Sequence, residues 1–178
     1  MIQLSSFLWF CIILFGTIGY LRGFGKEFVA LSGIILALFT LVQFDNFFES
    51  IGQGSGLAQV FYVKAIFLGV VAFFSYQTPP DRITPTKWRG KGSGARDEWQ
   101  NRILGAITGG VNAYLLFGSL WYFMDQLAYP LSPSVAAPPP DSSSAEMVSI
   151  LPLVWMQQGN LLTVAVILLF LFILIAII

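Results

Sequence analysis

The sequence predicts an all-α integral membrane protein of about five transmembrane helices, with its N-terminus outside and its C-terminus in the cytoplasm. Three observations carry this expectation. Hydrophobic residues make up 56% of the 178-residue chain and charged residues only 10%, with a mean hydropathy of +0.77, which lies outside soluble globular usage. Apolar stretches recur at lengths close to the roughly 20 residues that cross about 30 Å of hydrocarbon. The basic residues, finally, collect on one side of the topology those stretches define.

The first stretch is residues 4–20, LSSFLWFCIILFGTIGY. No basic n-region precedes it and no small-residue cleavage site follows in register, so it is expected to be kept as a helix. The second, residues 28–44, is rich in Leu, Ile, Val and Phe and unbroken by charge, but it is short, which leaves a tilted span or only partial insertion open. The third, residues 57–76, carries Lys64 about two turns from its start, where a long side chain can reach toward the head groups. The fourth, residues 103–127, contains Gly105, Gly109, Gly110, Asn112 and Gly118, and the last, residues 161–178, is apolar throughout except for Thr163.

Two linkers separate these spans. Residues 77–102 combine Pro79, Pro80 and Pro85 with several glycines and six cations, the composition of a basic, poorly helical loop. Residues 129–160 begin with the Pro/Ser-rich run YPLSPSVAAPPPDSSS, expected to be extended or disordered, and continue with EMVSILPLVWMQQ, expected as a short helix on the membrane surface. The organisation read from this is a four-helix membrane domain over residues 1–127, an extracytoplasmic linker over 128–160 and a C-terminal transmembrane helix over 161–178.

Charge gives the direction. The first loop holds Arg22 and Lys26; the third holds Arg82, Lys87, Arg89, Lys91, Arg96 and Arg102; with Lys64 inside a span, these are all nine basic residues. Asp45, Glu49, Asp125, Asp141 and Glu146 lie on the opposite side, which receives no cation. Because Lys and Arg flanking membrane spans are retained in the cytoplasm, the basic side is the inner one.

Composition also excludes chemistry. The chain has no histidine, the commonest metal ligand and catalytic base, and its single cysteine, Cys11, lies in an apolar run where a thiol is a packing residue. A formal net charge of +0 argues against nucleic acid as a partner. The sequence contains neither paired catalytic carboxylates nor metal-ligand spacing, and G-K-G-S-G at residues 90–94 lacks the spacing of a phosphate loop. The expectation is therefore a non-enzyme without metal or cofactor.

The residues that stand out are few. Gly105, Gly109 and Ala113 form one small-residue helix face, and Ala30, Gly33 and Ala37 form another; each serves either packing within the chain or the docking of a second copy or foreign subunit. Lys64 is the one formal charge well inside a span, with Asp45, Glu49 and Asp125 toward the same side as possible counter-ions; snorkelling, a pathway role and a contact to another protein are its other readings. Asn112, near a span centre, is expected to bond to a neighbouring helix. Lys26 and Glu27 are read as capping the first turn on its wet side, which leaves one lysine and one amide in the interior, too few groups for a proton relay.

Two segments carry a family resemblance. GYLRGFGKEFVALSG, residues 19–33, and NRILGAITGGVNAYLLFGSLWYFMD, residues 101–125, resemble motifs of the colicin V production protein (CvpA) family, small bacterial inner-membrane proteins of about four helices. The likeness covers residues 1–127; Asn101 stands where that family often has an acidic residue, and the last span has no counterpart. It implies a multi-pass protein of the bacterial cytoplasmic (inner) membrane but no activity that transfers to particular residues. Taken together, the sequence points to an accessory or scaffolding subunit of a larger bacterial membrane complex, secretory, respiratory or photosynthetic. Such a subunit contacts the lipid bilayer and either other membrane subunits or its own copies. The alternative is a small transporter or channel component with Lys64 and Asn112 lining a pathway.

Overall fold

The computed structural model describes residues 3–52, 56–77 and 95–177. Its helices, in chain order, are α1 (Leu4–Arg22), α2 (Phe24–Gln43), α3 (Asp45–Gly52), α4 (Leu57–Gln77), α5 (Ala95–Gln126), α6 (Ser143–Val148), α7 (Pro152–Met156) and α8 (Leu161–Ile177), with a single 3-10 turn, Gln158–Asn160, between the last two. Five segments among the described residues are long and apolar enough to cross a membrane: α1, α2, α4, the 98–126 part of α5, and residues 158–175. The chain is a multi-pass membrane protein whose apolar helices face the bilayer. At 1.5 Å per residue, α1, α2 and α4 each extend about 30 Å, the depth of the hydrocarbon, whereas the 32 residues of α5 reach about 48 Å and continue beyond it.

Helices α1 and α2 are joined by Gly23 alone. Its φ of 82° is one that side chains rarely adopt, its N–H closes α1 by donating to the Gly19 carbonyl, and a Cβ there would lie 2.6 Å from the Asn101 amide. Asn101 in turn accepts a hydrogen bond from the Phe24 N–H at 3.1 Å, so the start of α5 caps the start of α2. Helix α2 therefore begins four residues earlier than expected and takes Lys26 and Glu27 into its first turn.

Helix α5 is the axis of the bundle. Helix α1 runs antiparallel along one of its faces, α2 packs against another, α4 lies on α2, and α8 covers α2 from outside. The small residues make the first of these contacts: a Cβ on Gly105 would overlap the Gly19 carbonyl oxygen and one on Gly109 the Phe15 carbonyl oxygen, while Ala113 is fully buried. On α2, Ala30 and Ala37 are buried and Gly33 admits the Ser75 side chain of α4. Both small-residue faces are thus engaged within the chain. Ile34, Leu38, Leu41, Leu68, Leu115 and Phe123 fill the interior between α2, α4 and α5.

Two segments depart from the sequence expectation. Helix α5 starts at Ala95, inside the loop expected to be poorly helical, and an i,i+4 pair between Glu98 and Arg102 at 2.7 Å supports its first turns. The 128–160 segment has no regular structure over residues 136–139 and keeps the helical structure expected after it, as α6 and α7, but it is packed onto the bundle. Ser142 caps α6, Ser144 and Ser5 exchange hydrogen bonds, and Leu151, Pro152 and Leu153 are buried with Pro152 seated on Gly118 of α5. The Tyr114 hydroxyl donates to the Ile150 carbonyl and receives the Trp155 indole N–H. The segment packs against the bundle end, because its own leucines and a glycine notch on α5 provide an apolar seat.

Candidate functional site

The two ends of the bundle differ in charge among the described residues. Arg22, Lys26 and Arg102 lie at the end carrying the α1–α2 turn, with Arg96 in the first turn of α5. Asp45, Glu49, Asp125, Asp141 and Glu146 lie at the other. Arg82, Lys87, Arg89 and Lys91, counted as inner-side cations, fall outside the described residues.

The basic end contains a buried polar cluster. Glu27, expected on the wet side, is only 1% exposed and faces α5. Its Oε1 accepts from the Arg22 guanidinium at 2.8 Å; its Oε2 accepts from Tyr76 Oη at 3.3 Å and from Asn112 Nδ2 at 3.0 Å. Asn112 Nδ2 also donates to the Glu27 backbone carbonyl, and Arg22 donates to the Tyr76 carbonyl at 2.9 Å while lying 4.6 Å from that ring's centre. Four helices are tied here by one carboxylate: Arg22 from α1, Glu27 from α2, Tyr76 from α4 and Asn112 from α5. Burying an anion is costly unless charge and hydrogen bonds compensate it, and this one has both. With three hydrogen bonds from three other helices, the carboxylate acts as a clasp.

The correction to the sequence reading has a clear physical origin. Glu27 precedes Ile34, Leu38 and Leu41 by seven, eleven and fourteen residues, so it continues the buried stripe of α2 toward its N-terminus. Adjacency to Lys26 hid that register. Tyr76 was missed as well, since its role rests on contacts 49 and 54 residues away that no local pattern encodes. Asn112 bonds to a neighbouring helix, but its Oδ1 and the hydroxyl of Ser119, about two turns further along α5, are buried without a hydrogen-bond partner.

The acidic end holds a second charged site. Lys64 is 5% exposed, and its ammonium pairs with half-exposed Asp45 at 2.6 Å, 5.6 Å from the centre of the Phe123 ring. The pair lines a cavity of about 190 Å³ with Glu49, Gln126 and Gln157. Asp45 opens α3, the short helix absent from the sequence reading, so that element places the counter-ion over the lysine. Twelve residues of α4, roughly 18 Å, separate Lys64 from Tyr76, and the fully or nearly buried Leu38, Leu68 and Leu115 fill the space between the two sites. The described residues include no group of three or more His, Cys, Asp or Glu side chains arranged to hold a metal. Outside the spans, burial pushes the Tyr129 hydroxyl above its ordinary pKa, so it stays protonated while accepting the Trp121 indole N–H at 3.0 Å.

Comparisons with protein-family models, with curated proteins and with solved structures return no match.

Proposed function

We propose that this chain is a non-enzymatic accessory or scaffolding subunit of a larger complex in a bacterial cytoplasmic membrane, oriented with its N-terminus outside and its C-terminus inside. The observation that carries the reading is the one-sided seat of α8. Leu162 and Leu169 are buried, and Phe172 meets Phe28 of α2 with ring centres 5.0 Å apart. Val164, Ile167, Leu168, Leu171 and Ile175 form an exposed apolar stripe at helical spacing along the opposite face. A helix that contributes so little to its own bundle is available to a neighbour in the bilayer. The likeness of residues 19–33 and 101–125 to the colicin V production family supports a bacterial inner membrane, and the one-sided cations support the orientation.

The transport alternative has less support. Lys64 and Asn112 belong to separate sites with buried leucines between them, so the described residues offer no continuous polar route joining them. Extraction through an affinity tag in mild detergent, followed by native sizing and mass spectrometry, tests the subunit reading. A stoichiometric protein partner is expected, and Leu168→Gln with Leu171→Gln should release it while the chain stays folded. A monomer in every mild detergent overturns the proposal.

A further inference from the structure

Helices α1 and α4 meet at the basic end, where Arg22 holds the Tyr76 carbonyl and the rings of Phe15 and Tyr76 pack edge to face 6.0 Å apart. Toward the acidic end a cavity of about 470 Å³ lies between them. Leu4, Phe7 and Leu8 form one wall, Phe61 of α4 the other, α5 the floor from Phe117 to Met124, and residues 131–136 the roof. Since the α5 span ends at Gln126, that floor lies roughly 3–14 Å inside the acidic end, within one leaflet of the bilayer. The cavity is partly open, and Phe7 on its α1 wall is exposed, which gives a lipid chain a way in.

The lining chemistry selects the occupant. Its polar side-chain groups are the Ser134 hydroxyl and the Trp121 indole N–H, and the latter is given to Tyr129, whereas an ordered water needs two to four polar partners. Water is therefore a poor filler, and an empty apolar volume of this size forfeits dispersion contacts along its whole wall. A partner helix about 10 Å across would exhaust the space within about one turn, so a protein does not suit it either. No charged side chain lines the cavity, and Lys64, the cation nearest in the chain to Phe61, is already paired with Asp45, so an anionic head group finds no grip here. What remains is a flexible hydrocarbon chain, and the volume lies within the roughly 300–1,000 Å³ of ligand sites. We propose that this cavity is a lipid site that takes one acyl chain of a phospholipid from the leaflet at the acidic end.

Trp121 provides the probe, because it lines the cavity and is otherwise shielded, at 3% exposed. The full chain is reconstituted in phosphatidylcholine brominated along one acyl chain, in two forms: one with Trp121 as the sole tryptophan, the other with only Trp9, which is 55% exposed on α1. The expected result is strong bromine quenching of both, with Trp121 quenching falling at least twofold when Leu4→Phe and Val135→Phe fill the cavity and Trp9 unchanged. Unquenched Trp121 beside quenched Trp9 overturns the proposal, as does quenching that survives filling. Mass spectrometry of the detergent-purified parent protein gives an independent reading. About one retained phospholipid per chain supports the site, and no retained lipid, or a different apolar molecule in its place, sinks it.

Discussion

Glu27 is a formal charge placed where its sequence neighbours give every reason to expect water. Its stability there depends on the Arg22 guanidinium, the Tyr76 hydroxyl and the Asn112 amide acting together. Removing one member of a buried ion pair strands the other, at a cost of about 3–5 kcal/mol; Arg22 remains one-quarter exposed and can turn toward solvent, so the lower end applies. Glu27→Ala should therefore destabilise the bundle by about 3 kcal/mol. Glu27→Gln, which preserves the shape and one acceptor, should cost roughly 1–3 kcal/mol. Reversible unfolding in mixed detergent and SDS micelles measures both; equal stability of Glu27→Ala and the parent would mean that the carboxylate does not hold the four helices together. Lys64 was legible in the sequence because it is the single charge in a long apolar run. Glu27 was not, because the signal lay in its spacing to Ile34 and Leu41 and not in its immediate neighbours.

Spans declare themselves through hydropathy because in hydrocarbon the helix must satisfy its own backbone and cover it with apolar side chains, and five such runs were visible before any coordinate. Short elements lack that constraint. Helix α3 has eight residues, α6 six and α7 five, too few for a periodicity to emerge. The G-x-x-x-G on α5 was visible, yet its partner was not: only the packing shows that α1 fills it. A sharp test separates two adjacent glycines on that helix. Gly109→Ala drives a methyl into the Phe15 carbonyl and should cost on the order of 3 kcal/mol by forcing α1 away. Gly110→Ala meets only the Ile12 side chain and carbonyl, at 3.6 and 3.7 Å, and should be neutral or gain up to about 1 kcal/mol from helix propensity. Thermal unfolding in one detergent should show a lowered midpoint for the first variant and an unchanged or raised one for the second.

For the molecule as a whole, the charge asymmetry and the helix count must agree on one orientation. Cations flank the α1–α2 turn and the segment between α4 and α5, and these fall on the same side only if α2 and α4 both cross. Helix α2 was the doubtful span in the sequence, since its uncharged part is short; with Glu27 neutralised by Arg22 inside the bundle, the full 20 residues from Phe24 to Gln43 are available to cross. In the proposed orientation, which rests on the positive-inside bias, the clasp would lie near the cytoplasmic face and the Lys64–Asp45 pair, the 128–160 segment and the apolar cavity near the outer face. In bacteria, a fluorescent-protein fusion at Gly92 should be bright and an alkaline phosphatase fusion there inactive, whereas phosphatase inserted at Ser142 should be active. The reverse pattern would turn the whole bundle over and move the cavity to the inner leaflet. Two fusions reporting the same side would mean that α5 does not cross, which its buried contacts with α1 and α2 along most of its length make physically untenable without refolding the bundle.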